Sequence, residues 1–358
     1  MTGLLPRLEI DLPALESNTR RVVETCRLRG IQVWGVTKGV RGCPRVGLAM
    51  LRGGVEGLAD SRLPNLIRLR QALGDPSLML LRPPSPAQAQ EAVGTARVSL
   101  NSEILTLTAL GLAAAARKVE HEVILMVDLG DRREGVLPGD VLELARAARR
   151  ERSLRLAGIG ANFACFGGVL PTAESLVELV ELAGRVRMAT GASLDTVSGG
   201  NSSSLPLVIR AAMPAGVNQL RIGEGILLGR DPSTGEPLPG TRQDVFRLEA
   251  ELIEVQRKPS APCGPVARNA FGRQPVHIDR GDRLRALAAI GVQEIGAGTL
   301  CPASGGVEVL GASSDHLVLD VTAMEPAPRP GGRLQFLPDY GAVLALMTAT
   351  DVCRQYRE

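Results

Sequence analysis

Eight short apolar runs, each followed by a longer stretch with helical spacing, set the architecture available to this chain. They are IQVWGVT (31–37), VEGLAD (55–60), SLMLL (77–81), RVSLN (97–101), EVILMVD (122–128), LRLAGIGAN (154–162), LDTVS (194–198) and NQLRIG (218–223). Most are apolar throughout and rich in leucine or β-branched residues, as strands buried on both faces should be. Between them, segments such as PGDVLELARAARR (138–150) and AESLVELVELAGRVRM (173–188) repeat apolar residues at i, i+3 and i+4. Strand–helix alternation predicts parallel strands joined by right-handed crossovers. Eight such units predict a closed (β/α)8 barrel, with an open doubly wound sheet as the alternative. Aromatic residues make up only 2% of the chain, so the core must be aliphatic.

Two segments fall outside the repeat. Residues 1–12 carry a strand-like LEIDL that is expected to join the C-terminal domain, and a helix follows from Pro13 to Arg29. Beyond Gln243 the pattern changes to strand-like stretches separated by Gly and Pro: FRLEAELIEVQ, LAAIG, VEVLGA, HLVLDVTAM and RLQFLPDYGAVLAL. This predicts a mainly β second domain. The stretch DPSTGEPLPGTR (231–242) has the composition of a linker. The expected division is a barrel over 13–235 and a mainly β domain over 236–358.

Composition removes some classes of function. The formal net charge of +3 on 358 residues, without a Lys/Arg block, gives no footprint for nucleic acid. No apolar run is long enough to span a bilayer. Met1–Thr2–Gly3 runs straight towards the LEIDL strand without a signal peptide, and six scattered cysteines form no CxxC pair. A reduced, cytoplasmic protein with free thiols is expected. Lysine is scarce, at Lys38, Lys118 and Lys258 only, so the place of each one matters.

In barrels of this kind the chemistry sits at the C-terminal ends of the strands. There the sequence places Lys38, Asp60–Ser61, Asn101, Asp128 leading into Gly130 and Arg133, Asn162, the run Ser198–Ser204, and Arg221 with Gly223. Lys38 ends an apolar run and should point into the barrel mouth. Desolvation would lower its pKa and make it a nucleophile for a carbonyl; the ordinary alternative is an ammonium that snorkels to solvent. The run SGGNSSS precedes a helical pattern, SLPLVIRAAM, as phosphate-binding turns do, although a plain Ser/Asn cap has the same look. Arg221 lies inside an apolar strand and needs a buried partner, either a carboxylate such as Asp128 or a ring nitrogen of a cofactor.

Taken in order along the chain, LEIDLPALESN (8–18), VTKGV (36–40), LADSR (58–62), SLNSE (99–103), ILMVDLGDRREGV (124–136), GIGANFACFGG (158–168), SGGNSSSL (198–205), LRIGEGILLGRD (220–231) and LGASSDHLVLDV (310–321) resemble the alanine racemase family. These are the fold-type III pyridoxal 5′-phosphate (PLP) enzymes, and the likeness is greatest to the alanine/ornithine racemase-like branch. It covers nearly the whole chain. It implies an isomerase that racemises a free amino acid, ornithine or another basic one, with alanine or serine as alternatives. Lys38 matches the lysine that holds PLP as a Schiff base and acts as proton base on one face. Ser202 matches the phosphate-binding serine, with Gly223 and Glu224 offering backbone N–H groups. Arg221 matches the arginine facing the pyridine nitrogen, and Asn162 stands where a histidine flanks the ring. Arg133, with Asn101, falls on the substrate side. Asp315 matches the aspartate of the second domain's substrate-facing loop, and Tyr340 the C-terminal tyrosine that reaches the phosphate.

The chain departs from that pattern at the second face of the substrate. Racemisation needs a proton donor or acceptor on each side of Cα, and alanine racemases take the second from a tyrosine of the partner subunit. The tyrosines here are Tyr340 and Tyr356, and the comparable stretch GPVARNAFG (264–272) has none. His316, beside Asp315, is a candidate because its unperturbed pKa lies near neutral; a structural histidine is its ordinary alternative. Cys165 and Cys301 are others. Asp315, Glu103 and Asp131 are candidate partners for a distal ammonium. Two other readings stay open. A PLP carrier protein would lack the second domain. A metal-assisted D-amino-acid aldolase or dehydratase would need a C-terminal His/Cys site, and no tight ligand pair stands there, so no metal is expected. The family also implies a homodimer.

Overall fold

The computed structural model describes residues 6–272, 274 and 278–358; residues 1–5 of the expected N-terminal segment lie outside them. After β1 (Arg7–Asp11) and a helix over Leu12–Arg27, the chain lays down β2 (Gln32–Val36), β3 (Gly57–Asp60), β4 (Leu78–Leu80), β5 (Val98–Asn101), β6 (His121–Val127), β7 (Leu154–Ala161), β8 (Thr196–Ser198) and β9 (Gln219–Ile222). Strands β2 to β9 are parallel, and β9 pairs back onto β2, with Trp34 opposite Arg221. The sheet is thus a closed barrel and not an open one. Seven of the eight strands fall inside their apolar runs, and β6 starts one residue ahead of its own, at His121. The helices follow their periodic stretches. Val141–Arg150 buries Val141, Leu144, Ala145, Ala147 and Ala148. Ala173–Thr190 starts at a reciprocal Thr172/Ser175 cap and stops at Gly191, whose φ of 66° ends the helix. Among the described residues no helix is long and apolar enough to cross a membrane. All six cysteines are free thiols.

Strand alternation decides which side chains enter the barrel. Trp34, Val36, Ala59, Met79, Val98, Leu100, Ile124, Met126 and Ala157 pack together as the inner core. Lys38 continues the inward series of Trp34 and Val36. The opposite parity faces the helices. There Asp60 accepts from Thr37 Oγ1 at 2.8 Å and from Asn65 Nδ2 at 3.0 Å. Its carboxyl is held above the ordinary range by burial. The same side of β5 and β6 carries Ser99, Asn101 and His121, with Ser99 Oγ 2.8 Å from His121 Nε2.

His121 is buried, and desolvation pushes its pKa down to about 4. The unfolded chain therefore takes up this proton first as pH falls. Stability from the neutral imidazole is complete above the unfolded value of about 6.5 and is lost between there and the folded value. The difference amounts to roughly 3 kcal/mol at most. The melting temperature should fall from pH 7 to pH 4, with a shallower slope in His121→Gln; equal slopes would show that His121 does not contribute.

The second unit combines β1 with Asp244–Glu358. Its strands are β10 (Phe246–Pro259), β11 (Asp282–Ala288), β12 (Leu300–Pro302), β13 (Glu308–Ala312), β14 (Leu317–Asp320), β15 (Arg333–Pro338) and β16 (Cys353–Arg357). The sheet runs β12-β15-β10-β11-β14-β13, and β1 pairs antiparallel with β10 and parallel with β16. Along β10, Phe246, Leu248, Ala250 and Leu252 are buried and alternate with polar residues, the pattern of a sheet covered on one face.

Three local expectations are corrected. RLQFLPDYGAVLAL is not one strand-like stretch: Asp339 accepts from the Ala342 N–H at 2.8 Å and caps a helix over Tyr340–Leu346. Strand β11 begins at Asp282, ahead of LAAIG, because its polar first half pairs with the end of β10. The barrel unit runs over Leu12–Gln243, so the Pro/Gly-rich 231–242 segment belongs to it. Asn18 holds that segment by accepting from Arg242 N at 2.7 Å and donating to Arg242 O at 2.8 Å.

Candidate active site in the barrel mouth

Lys38 opens a single 3-10 turn directly after β2. Its side chain is open to solvent on one side, while the strand ends crowd it on the others. That crowding strips water from the ammonium and lowers its pKa from the ordinary 10.5; Arg133 adds to the effect, and Cys165, Glu134 and Asp60 oppose it. Among the described residues no carboxylate forms an ion pair with Lys38. The amine is thus aimed inward and unpaired, the state a nucleophile requires.

Arg221 projects from β9 into the barrel and is only 3% exposed. Its guanidinium donates to Ser198 Oγ, to the Ala161 carbonyl at 2.8 Å and to Asn162 Oδ1 at 2.7 Å. Among the described residues no carboxylate pairs with it. Asp128, its ordinary candidate partner, instead accepts from the N–H groups of Gly130 and Arg132, at 2.8 and 3.1 Å. Burial pulls the Arg221 pKa down to about 10, so the group remains cationic at neutral pH. Gly160 makes room for it. A Cβ there would stand 2.9 Å from Ser198 Cβ and 3.5 Å from Arg221 Nη1.

Asn162 follows β7 and ties Arg221 to a residue that the sequence analysis passed over. Its Oδ1 accepts from Arg221, and its Nδ2 donates to Glu134. Glu134 in turn takes Nε and Nη2 of Arg133, the latter at 2.6 Å. Asn162 has a single consistent orientation, because a carboxylate only accepts and a guanidinium only donates. Sequence held one signal for Glu134, its place beside Arg133 in the DRREG segment. A string of neighbouring charges reads as a solvated turn, and the segment's fold towards the barrel axis is not written in it.

The two turns after β8 and β9 meet beside this network. Gly200 has φ of 108°, and an added Cβ would lie 2.7 Å from Ser204 Oγ, so the turn requires glycine. Asn201 caps a 3-10 turn over Ser202–Ser204 by accepting from Ser203 N at 2.9 Å. The α-helix that follows covers only Leu205–Ile209, shorter than SLPLVIRAAM suggests, because Ala211 turns to a φ of 59° and Pro214 follows soon after it. Ser202 Oγ accepts from Gly225 N at 3.1 Å and joins this turn to Gly223–Glu224–Gly225. Gly223 lies against Val36, two residues from Lys38. Lys38, Asn162, Ser202, Arg221, Gly223, Glu224 and Arg133 are therefore gathered at one end of one barrel.

Cys165 joins them, which sequence offered only as one of several candidates. Its thiol contacts the Phe163 carbonyl at 3.2 Å and Asn201 Nδ2 at 3.3 Å, and burial holds its pKa above the ordinary thiol value. Asp131 fixes the loop, accepting from the N–H groups of Cys165, Phe166 and Gly167 at 3.0 to 3.2 Å. Asp131 is thus a buried loop anchor, not a free partner for an ammonium. Glu103 is exposed at the start of the Ile104–Arg117 helix.

Asn101 is the site residue that the structure withdraws. It is 0% exposed, and Nδ2 donates to Ser99 O and Ser99 Oγ, both at 2.9 Å, on the helix-facing side of β5. The apolar Val98 and Leu100 hold the inward places, so Asn101 does not reach the mouth. Asp315, His316, Tyr340 and Cys301 belong to the second unit. Asp315 and His316 form the turn between β13 and β14, where Asp315 accepts from Gln293 and Ser314 and the His316 ring lies 3.5 Å from Ser313 Oγ. Tyr340 opens the Tyr340–Leu346 helix, and Cys301 is exposed on β12. Among the described residues, no three His, Cys, Asp or Glu side chains converge as metal ligands would.

Comparison with known proteins bears on the family and the fold. Residues 10–231 match the family model described as alanine racemase, N-terminal domain. The chain is 36% identical to the ornithine racemase of Acetoanaerobium sticklandii over 347 residues, covering 97% of this chain and 98% of that protein. It is 38% identical to the lysine racemase of Thermotoga maritima over 352 residues, covering 98% of both. In fold it is similar to the alanine racemase of Bartonella henselae, whose structure has covalently bound pyridoxal phosphate: TM-score 0.74, 14% identity, 99% of this chain and all of that one.

Proposed function

The chain belongs to the alanine racemase family, and from that premise we propose that it interconverts the L and D forms of a free basic amino acid, ornithine or lysine, with PLP held at Lys38. The observation that carries this is the pairing, in one barrel mouth, of an inward unpaired lysine with a buried arginine that has no carboxylate partner. The residues present fit the cofactor. Arg221 has room for an acceptor that the protein does not supply as a carboxylate, and the Ser202–Gly225 junction is a glycine-rich turn suited to a phosphate.

When bound, PLP supplies an electron sink that acidifies the substrate's α-proton. Lys38 holds the cofactor and, when free, moves the proton on its own face of Cα. Ser202, with the backbone of Gly223 and Glu224, holds the phosphate, and Tyr340 is the further candidate for it. Arg221, always protonated, donates to the ring nitrogen and leaves it without a proton. Asn162 flanks the ring. Arg133 stands where a substrate carboxylate enters. The second face falls to His316, with Cys165 and Cys301 as alternatives, and Asp315 is the acceptor proposed for the distal ammonium. Its proposed setting is the cytoplasm and its proposed state a homodimer, supported by the free thiols and the family; a monomeric mass in solution contradicts the dimer.

The test is incubation of the PLP-loaded protein in D2O with single L-amino acids, following α-proton exchange by NMR and enantiomers by chiral chromatography. Exchange with D-ornithine or D-lysine appearing supports the proposal. Preference for alanine or serine moves the substrate. Exchange without inversion means one working face. No exchange with any of them favours a PLP carrier or, if a divalent metal restores turnover, a D-amino-acid aldolase or dehydratase.

A further inference from the structure

Three cationic groups crowd the barrel mouth, Lys38, Arg133 and Arg221, and one carboxylate acts on all of them, Glu134. Its contacts are directional. Glu134 grips Arg133 through two donors and reaches Arg221 through the Asn162 carboxamide. We infer that Glu134 is a positioning residue, a clamp that fixes both arginines and the Asn162 amide at the two ends of the cofactor site. The inference rests on the PLP site proposed above.

The geometry makes the clamp two-sided. The acceptors around Arg221 other than Asn162 are Ser198 Oγ and a main-chain carbonyl, which are neutral. The counter-charge of the buried guanidinium therefore arrives through Asn162, polarised by Glu134 at its far end. Arg133 and Arg221 repel each other, so the same carboxylate also keeps them apart in energy. With glutamine at position 134 the neighbour of Asn162 loses its charge, so the amide, still oriented by Arg221, no longer relays a counter-charge to that guanidinium. Arg133 loses its fork partner in the same step.

The chain's three lysines give a readout that needs neither cofactor nor turnover. Lysines of the apoprotein can be reductively methylated with 13C-formaldehyde and titrated by NMR. The groups acting on Lys38 are Cys165, Arg133, Glu134 and Asp60, and removal of the Glu134 charge should lower its midpoint measurably, leaving Lys118 and Lys258 unmoved. In the holoprotein, Glu134→Gln should raise the Kd for PLP at least tenfold, and Glu134→Asp should restore part of it. Asn162→Ala should weaken PLP binding as well, and the double variant should be little worse than the poorer single one, as expected for residues acting in one chain.

An unmoved Lys38 midpoint together with wild-type PLP affinity in Glu134→Gln overturns the inference. So do additive effects of Glu134→Gln and Asn162→Ala. If Glu134→Gln does not fold, Glu134→Asp and Asn162→Ala carry the same test. Should the wild-type chain fail to bind PLP, the functional proposal fails, while the apoprotein titration still judges Glu134.

Discussion

Replacement of Lys38 by alanine is expected to lower the racemisation rate of ornithine and lysine by about 10⁴-fold or more, to the limit of detection. Two contributions vanish together, the covalent hold on the cofactor and the proton base on one face of Cα, and the second alone is worth about 10²–10⁴-fold. Residues that act as a unit do not lose activity additively, so the single change removes nearly the whole effect. The fold should survive, because Lys38 stands in an open mouth and, among the described residues, takes no part in an ion pair. Cofactor binding should weaken but persist through Arg221 and the Ser202 turn. A small amine such as methylamine should restore part of the rate by occupying the vacated space. Lys118→Ala and Lys258→Ala provide the controls; Lys258 pairs with Glu254 on β10, in the second unit. Activity of Lys38→Ala within tenfold of wild type would rule out the assignment.

Arg221→Glu is the second large effect, about 10²–10³-fold in kcat, the loss usual for a preorganised electrostatic donor. The surroundings explain why the change is severe. The guanidinium lies among acceptors, Ser198 Oγ, the Ala161 carbonyl and Asn162 Oδ1, with Glu134 beyond. A carboxylate in that place meets lone pairs in place of donors, so it takes up a proton or turns Asn162 around. A carboxylic acid there would offer the ring nitrogen of bound PLP a proton, where Arg221 would offer only a hydrogen bond, and would favour side reactions over simple return of the proton to Cα. Transamination should then rise, with the 2-keto acid released and the substrate's amino group retained on the cofactor as pyridoxamine phosphate, one equivalent of each. The measurement is keto acid formed per inversion, with the melting temperature recorded beside it. Arg221→Lys keeps the charge, loses the planar fork and should fall between the two. An unchanged keto acid ratio in Arg221→Glu would remove the ring-nitrogen role.

How far each feature was legible in the sequence depends on what physical signal it leaves. Strands covered on both faces must be apolar throughout, so the eight barrel strands announce themselves and locate Lys38 and Arg221 at once. The helix over Tyr340–Leu346 is seven residues long, too short for its period to separate it from a strand, and only the Asp339 cap marks it. Asn101 was misjudged for a different reason. A place at a strand end does not by itself face the mouth: Val98 and Leu100 fix the alternation and turn Asn101 towards the helices. Glu134 was missed because its importance comes from Asn162, twenty-eight residues away in sequence and in direct contact in space. The second-face base is not legible from either side, since its candidates are spread over both units.

The placement of β1 bears on how the molecule is made. Its partners are residues 246–249 on one edge and 353–357 on the other. A ribosome adding about 5–20 residues per second needs tens of seconds to pass from one to the other end of that pairing. The barrel segment, Leu12–Gln243, emerges complete within that interval. β1 is therefore synthesised before the strands it pairs with, and its sheet can be completed only after the barrel segment has been made. Contacts this distant in sequence form slowly, so the sheet of the second unit should complete later than the barrel.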